Sequence, residues 1–155
     1  MARKISALNE KLDHLDLLAP VIVDEDATYK EVLDVMRKLQ RGSVIVCSKK
    51  KVAGMFTERD VLNRCVLEQI PPATPIHRLM TPDPITISAD TTLGDAIELM
   101  HTKGVRNLPF VDAKGNIKGL LTVGRVIRYL ADHYPAEVVN LPPVLHQTTQ
   151  ESEGA

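Results

Sequence analysis

DATYKEVLDVM, residues 26–36, and DTTLGDAIELM, residues 90–100, are two versions of one pattern, with Asp, Thr and Met falling in register. In both, apolar side chains recur at i, i+3, i+4 and i+7. They are Tyr29, Val32, Leu33 and Met36 in the first stretch, and Leu93, Ala96, Ile97 and Met100 in the second. That spacing is the buried stripe of an amphipathic helix. Each stripe is preceded by a Thr with an acid three residues later, Thr28 with Glu31 and Thr92 with Asp95. Such a pair forms a capping box, in which hydroxyl and carboxylate satisfy backbone N–H groups that the first helical turn leaves unbonded. Gly42 and Gly104 follow the stripes and predict the helix ends.

The correspondence continues outward. Val44-Ile45-Val46-Cys47 lies over Leu108-Pro109-Phe110-Val111, and GMFTERDV (54–61) lies over GLLTVGRV (119–126). The copies differ in length by one residue, placed in the turn Ser48-Lys49-Lys50-Lys51 against Asp112-Ala113-Lys114-Gly115-Asn116. An insertion confined to a turn is what a duplicated unit tolerates, so the chain reads as an internal repeat. Short apolar runs bounded by turn residues predict buried strands at 44–47, 52–56, 108–111 and 117–121. Helices are expected at 58–68 and 123–133. Each copy is therefore strand, helix, strand, strand, helix, and the fold class is α/β. The lysine run 49–51 has two readings, a phosphate patch or a solvated hairpin turn, and the turn needs no ligand to explain it.

Five segments follow. Residues 1–16, with Ile5, Leu8, Leu12 and Leu15 on one face, predict an N-terminal amphipathic helix lying across the repeats. Repeat 1 is 17–69 and repeat 2 is 76–133. Between them, 70–75 holds Pro71, Pro72 and Pro75 and reads as a stiff linker. The polar end of the chain, 134–155, is expected to be extended and partly disordered.

Composition narrows the function. The 155 residues are 44% hydrophobic and 25% charged, the balance of a globular protein able to bury a core unaided. With 19 basic against 20 acidic residues no field of one sign favours nucleic acid, and 3% aromatics with no Trp removes base-stacking platforms. The N-terminal stretch has no uninterrupted apolar region, so no signal peptide is expected, and no run reaches the ~20 apolar residues of a membrane span. Cys47 and Cys65 lack metal-ligand spacing and read as two reduced thiols, which points to a cytoplasmic protein. Neither nucleic acid nor membrane is expected as a partner.

Gly54-Met55-Phe56-Thr57-Glu58-Arg59-Asp60 is the most informative stretch for chemistry. A strand ends, a helix begins, and Thr57 with Asp60 repeats the capping-box spacing. One reading is a well-capped helix and nothing more. The other adds a ligand: free N–H groups and the helix dipole favour an anion, the Thr57 hydroxyl can donate to phosphate, and Asp60 can accept from sugar hydroxyls.

Gly54-x-x-Thr57-x-x-Asp60 resembles the ribose and phosphate motif of CBS domains, the family named for cystathionine beta-synthase. Leu79-Met80-Thr81-Pro82 ahead of Ile85-Thr86-Ile87, and Val105-Arg106-Asn107-Leu108-Pro109-Phe110-Val111-Asp112, resemble its other signatures. The resemblance spans about residues 17–132. It implies two pseudo-symmetric repeats packed sheet to sheet, with two clefts between them. It also implies that Thr57 and Asp60 face Met80, Thr81, Ile85, Thr86, Val105, Arg106 and Asn107. Asp60 would then accept from the ribose diol, Thr57 and Arg106 would hold phosphate, and the apolar members would enclose adenine. Arg106 is equally readable as a plain surface arginine. A homodimer is implied as well, signalling to a protein target in trans.

The second copy departs from this motif. In Gly119-Leu120-Leu121-Thr122-Val123-Gly124-Arg125 the position of Asp60 holds Arg125. An arginine has donors only and cannot accept from a ribose diol. The second cleft, with Thr122, Arg125, Ile22 and Ser43, is expected to be degenerate: empty, filled by Arg125, or adapted to a more anionic ligand.

No catalytic constellation accompanies these motifs. His14, His77, His101, His133 and His146 share no ligand spacing. There is no nucleophile elbow and no Walker loop. The expectation is a non-catalytic, stand-alone regulatory module, with an adenosine nucleotide such as AMP, ADP or ATP as regulatory ligand and neither catalytic cofactor nor metal. The alternatives are a ligand-free interaction scaffold, a binder of S-adenosylmethionine or NAD, and an enzyme acting on the bound nucleotide.

Overall fold

The computed structural model describes residues 6–134. Ile5, His146 and the expected extended segment beyond 134 lie outside them. The first repeat comprises β1 (Ile22–Asp24), α1 (Tyr29–Leu39), β2 (Ser43–Ser48), β3 (Lys51–Thr57) and α2 (Glu58–Asp60), which continues into a π-helical stretch, Val61–Val66. After a 3₁₀ turn at Ile76–Arg78 come β4 (Thr81–Pro82), α3 (Leu93–Lys103), β5 (Asn107–Val111), β6 (Ile117–Thr122) and α4 (Val123–His133).

In repeat 1, β1 runs parallel to β2 and β2 antiparallel to β3. In repeat 2 the antiparallel hairpin β5–β6 is the counterpart. The first strand of the repeat pattern is reduced in repeat 2 to one parallel bridge, Ile87 to Phe110, where Ile87 N–H donates to the Pro109 carbonyl and Val111 N–H to the Ile87 carbonyl, both at 2.9 Å. The far edge of each hairpin is taken by the other repeat. β4, which leads into repeat 2, pairs with β3 at Gly54 and Met55, while Leu18, which leads into repeat 1, pairs with Leu120 of β6. The repeats are laced together by exchanged backbone.

Strand alternation sorts the apolar residues into three cores. Val44, Val46 and Phe56 turn toward α1, Tyr29, Val32 and Met36, with Cys65, Ile76 and Leu79 completing that cluster. Leu108, Phe110 and Leu121 turn toward Leu93, Ala96 and Met100 of α3 and Val126 of α4. The opposite faces supply Ile45, Cys47, Met55 and Leu120, which meet in a third cluster joining the two sheets. The predicted stripes and sheet-to-sheet packing are therefore present.

Residues 6–15 depart from the single amphipathic helix expected. They form two 3₁₀ turns, Ser6–Asn9 and Leu12–His14, and bury Ala7, Leu12 and Leu15, with Leu8 only partly covered. The cause is competition for the backbone. Leu12 N–H donates to the Thr91 carbonyl and Leu93 N–H to the Glu10 carbonyl, so this segment is spent on the start of α3. The 70–75 linker does the same for α1: Tyr29 N–H donates to the Thr74 carbonyl at 2.7 Å and Lys30 N–H to that of Pro72 at 3.0 Å. Both thereby satisfy helix N-terminal donors that have no partner within the helix. Gly94 permits the first of these contacts, since a Cβ there would lie 2.9 Å from the Leu8 carbonyl oxygen.

The helix ends differ from expectation in one copy. Gly104 caps α3 in the left-handed region, as predicted, but the corresponding residue of α1 is Gln40, with φ 51°. Gly42 serves elsewhere: its carbonyl accepts from Glu58 N–H at the start of α2.

Candidate functional site

All three predicted capping boxes form. At Thr57 the arrangement is reciprocal: Asp60 Oδ2 accepts from Thr57 N–H at 2.9 Å and from Thr57 Oγ1 at 3.2 Å, and Asp60 N–H donates to Thr57 Oγ1 at 3.3 Å. One carboxylate oxygen is thus committed to holding the strand-to-helix turn. The other, Oδ1, is turned toward Arg64 on the next helical turn, whose Nη2 lies 2.5 Å away. The same Nη2 is 3.2 Å from Thr81 Oγ1, on the segment leading into repeat 2. Asp60, Arg64 and Thr81 form one polar chain from the first repeat to the second. The Asp60 side chain is only 17% exposed, so this contact is shielded from bulk water, while Arg64 is 41% exposed.

Gly54 sets the distance between the two walls. A Cβ at this position would stand 2.4 Å from Met80 Sδ and 2.8 Å from the Thr81 carbonyl oxygen. The glycine of the Gly54-x-x-Thr57-x-x-Asp60 motif therefore lets the backbone carrying Met80 and Thr81 approach β3 closely. This packing sets Met80 and Thr81 against β3, and Arg64 links Thr81 to the Thr57–Asp60 box.

The other residues singled out in the sequence sit as follows. Ile85 is partly buried against the repeat 2 core, and Thr86 is exposed. Val105 packs on the same core. Arg106 gives its carbonyl to Val123 N–H at 3.1 Å, and Asn107 partners Thr122 across the β5–β6 hairpin. Ser43, the equivalent of Asn107, partners Thr57 and is buried. Ile22 is half exposed and lines a hollow of about 450 Å³ with Asp24, Cys47, Lys50, Asn116 and Ile117.

At the second motif Thr122 Oγ1 accepts from Arg125 N–H at 3.2 Å, but no carboxylate returns the bond, so the box is half made. The Arg125 guanidinium reaches the other repeat's lead-in instead, with Nη1 2.8 Å from Asp16 Oδ2. The pair borders a hollow of about 140 Å³ with Arg128, Tyr129 and His133. The arginine is on the helix in both clefts, and the acid changes place. In one, the acid is on the helix; in the other, it is on the lead-in segment.

Sequence reasoning missed Arg64 and Asp16. Arg64 was legible in principle, since an arginine four residues after an aspartate faces it on a helix. Asp16 becomes a partner only through the exchanged backbone. Burial raises both thiols, Cys47 and Cys65, above the ordinary 9.0, which opposes a thiolate role for either. Among the described residues no group of three or more His, Cys, Asp or Glu side chains is placed to hold a metal ion. No helix among them is long and apolar enough to cross a membrane.

Comparison with known proteins agrees with this architecture. The chain is 30% identical over 112 residues to an uncharacterized 17.7 kDa protein of Acidianus ambivalens, covering 72% of this chain and 67% of that one. It is 33% identical over 117 residues to inosine-5'-monophosphate dehydrogenase of Aquifex aeolicus, a match that spans only 23% of the dehydrogenase. Among solved structures, the CBS domain protein PAE2072 of Pyrobaculum aerophilum, complexed with AMP, superposes with a TM-score of 0.69 at 24% identity, over 79% of this chain and 98% of that one. The cytosolic domain of the Mg2+ channel MgtE, in complex with ATP, gives 0.67 at 24% identity, over 79% of this chain and 49% of that one. The family profile of the CBS domain matches twice, at residues 16–66 and 76–132, which is more than half of the chain. Two such matches on two interlaced repeats place this chain in the CBS-domain family, as a tandem pair.

Proposed function

We propose that this chain is a non-catalytic regulatory module that binds an adenosine nucleotide between its repeats and passes the occupancy to another protein in trans. The observation that carries the reading is the Asp60–Arg64–Thr81 chain beside the close approach of Met80 and Thr81 to Gly54. It sets the Thr57 hydroxyl and the Asp60 carboxylate on one wall and the apolar Met80 thioether on the other. A ribose diol needs an acceptor, a phosphate needs donors, and a purine needs an apolar surface. Ile85, Thr86, Val105, Arg106 and Asn107 complete the cleft in this reading, with Arg106 as a phosphate donor. Relatives of the same fold solved with AMP and with ATP support this ligand class.

The second cleft, around Thr122, Arg125, Ile22 and Ser43, takes no adenosine. Arg125 presents donors where a diol needs an acceptor, and it is engaged by Asp16. The module acts as a homodimer in the cytoplasm. Leu62 and Ile127 stand at equivalent positions of the two repeats, 65% and 58% exposed, and offer a repeated apolar contact for a twofold partner.

A thermal-shift screen with AMP, ADP, ATP, S-adenosylmethionine and NAD tests the ligand class. Binding stabilises the native state by RT ln(1 + [L]/Kd), so the correct class raises Tm in a concentration-dependent way. An adenosine nucleotide is expected to do so. A shift with S-adenosylmethionine or NAD alone would reassign the ligand. No shift with any of the five would favour an interaction scaffold.

A further inference from the structure

We infer that Arg64 is both the internal occupant of the Asp60 site and the residue that makes the cleft select phosphorylated nucleosides over unphosphorylated ones. The inference rests on the nucleotide reading above and adds a ligand-discriminating residue to it.

The geometry defines a competition. Asp60 Oδ2 is taken by the Thr57 N–H and hydroxyl, so Oδ1 is the acceptor left for a ligand. Arg64 Nη2 occupies that oxygen at 2.5 Å and at the same time reaches Thr81 Oγ1 across the repeat boundary at 3.2 Å. A ribose hydroxyl placed on Oδ1 competes with the guanidinium for that oxygen. Displacement breaks a charge-assisted contact on a largely buried carboxylate, one of the stronger hydrogen bonds a protein makes. A neutral nucleoside offers the arginine nothing in exchange.

A nucleotide does. Arg64 is 41% exposed and sits on the helix whose N-terminus Thr57 caps, so its side chain has room to swing while its backbone stays fixed. A phosphate in the cleft gives the released guanidinium a bidentate anionic partner, the geometry for which arginine is suited. The exchange is of one carboxylate for one phosphate, and charge balance around Arg64 is kept. The same movement frees Thr81 from its contact with repeat 1, so occupancy is linked to the polar bridge between the repeats.

Calorimetric titration of AMP and adenosine into wild-type protein, Arg64→Gln and Asp60→Ala tests this. Wild type is expected to prefer AMP over adenosine by at least about tenfold. In Arg64→Gln that ratio is expected to fall clearly below the wild-type ratio, because adenosine binding strengthens as Asp60 is released while AMP loses one of its phosphate partners. A merely structural role for Arg64 would move both affinities in the same direction and leave the ratio unchanged, and that result would overturn the inference. Asp60→Ala separates the two levels. If it binds both ligands as wild type does, or if neither ligand binds any variant, the nucleotide site is misassigned and the role of Arg64 falls with it. If Asp60→Ala loses binding while Arg64→Gln keeps the wild-type ratio, the site stands and only the role of Arg64 fails.

Discussion

Arg125 stands in the second repeat where Asp60 stands in the first, and it closes an ion pair of 2.8 Å with Asp16 on the backbone that leads into repeat 1. The pair puts the acid on the lead-in segment instead of on the helix and joins the repeats at the second edge, as the Asp60–Arg64–Thr81 chain joins them at the first. The scaffold is symmetric in its strands and its helices. Its two polar centres are not.

The motif glycines are expected to differ in their tolerance of a methyl group. Gly54→Ala would place Cβ 2.8 Å from the Thr81 carbonyl, a backbone atom that cannot yield without moving β4. The equivalent Gly119→Ala meets the Leu17 side chain at 3.0 Å, which has more freedom to shift. Urea denaturation should show Gly54→Ala losing about 1–3 kcal/mol, the range for overpacking, and Gly119→Ala losing less. An equal loss in both would mean that the close approach at Gly54 does not position Met80 and Thr81.

The lysine run resolves in favour of a hairpin turn. Lys49 and Lys50 both lie in the left-handed region, with φ 50° and 66°, between the paired residues Ser48 and Lys51. Two-residue turns of this kind prefer Asn-Gly. Lys49→Asn with Lys50→Gly is expected to gain about 1 kcal/mol, since a non-glycine residue in this region costs ~1–2 kcal/mol. A loss of stability would indicate that the lysines make contacts worth more than the strain.

Much of the fold was legible because the period-2 and period-3.6 patterns agree with the caps in both copies. Thr28, Thr57 and Thr92 cap the helices they were expected to cap, and Val44, Val46 and Phe56 turn inward as alternation requires. What was not legible depends on long-range backbone exchange. Residues 6–15 carry a helical apolar pattern, yet their N–H and carbonyl groups bond α3, and no local rule reports that competition. Asp16 escaped notice for the same reason. Within repeat 1 the left-handed cap fell on Gln40, two residues before the glycine that the pattern suggested.

Exposed apolar residues at matched positions predict association. Leu62 and Ile127 each gain ~1.5–3 kcal/mol on full burial. Sedimentation should find wild type as a dimer and the Leu62→Glu, Ile127→Glu double variant as a folded monomer. A monomeric wild type at micromolar concentration would remove this interface.

Tyr129 gives the fold an alkaline limit. The hydrogen bond to Glu10, aided by desolvation and the Glu10 charge, pushes its phenol from 10.0 up to about 12. The native state therefore holds this proton more tightly than the unfolded chain. The associated stability is complete below pH 10 and is lost as pH rises through about 12. Chemical denaturation across that window should show the decline in wild type and a shallower one in Glu10→Gln. An identical slope in both would separate Tyr129 from this effect.

The asymmetry of the two clefts is tested most directly by the stoichiometry of AMP binding, measured by calorimetry on wild type, Asp60→Ala and Arg125→Ala. Asp95→Ala, which breaks the matching capping box in α3 away from the clefts, serves as the control. The expected result is one AMP per chain in wild type, Arg125→Ala and Asp95→Ala. Asp60→Ala should weaken binding by about 10- to 100-fold, the equivalent of losing a hydrogen bond of ~1.5–3 kcal/mol to a charged acceptor. Two equivalents of AMP per chain, or an affinity that Asp60→Ala leaves unchanged, would contradict it.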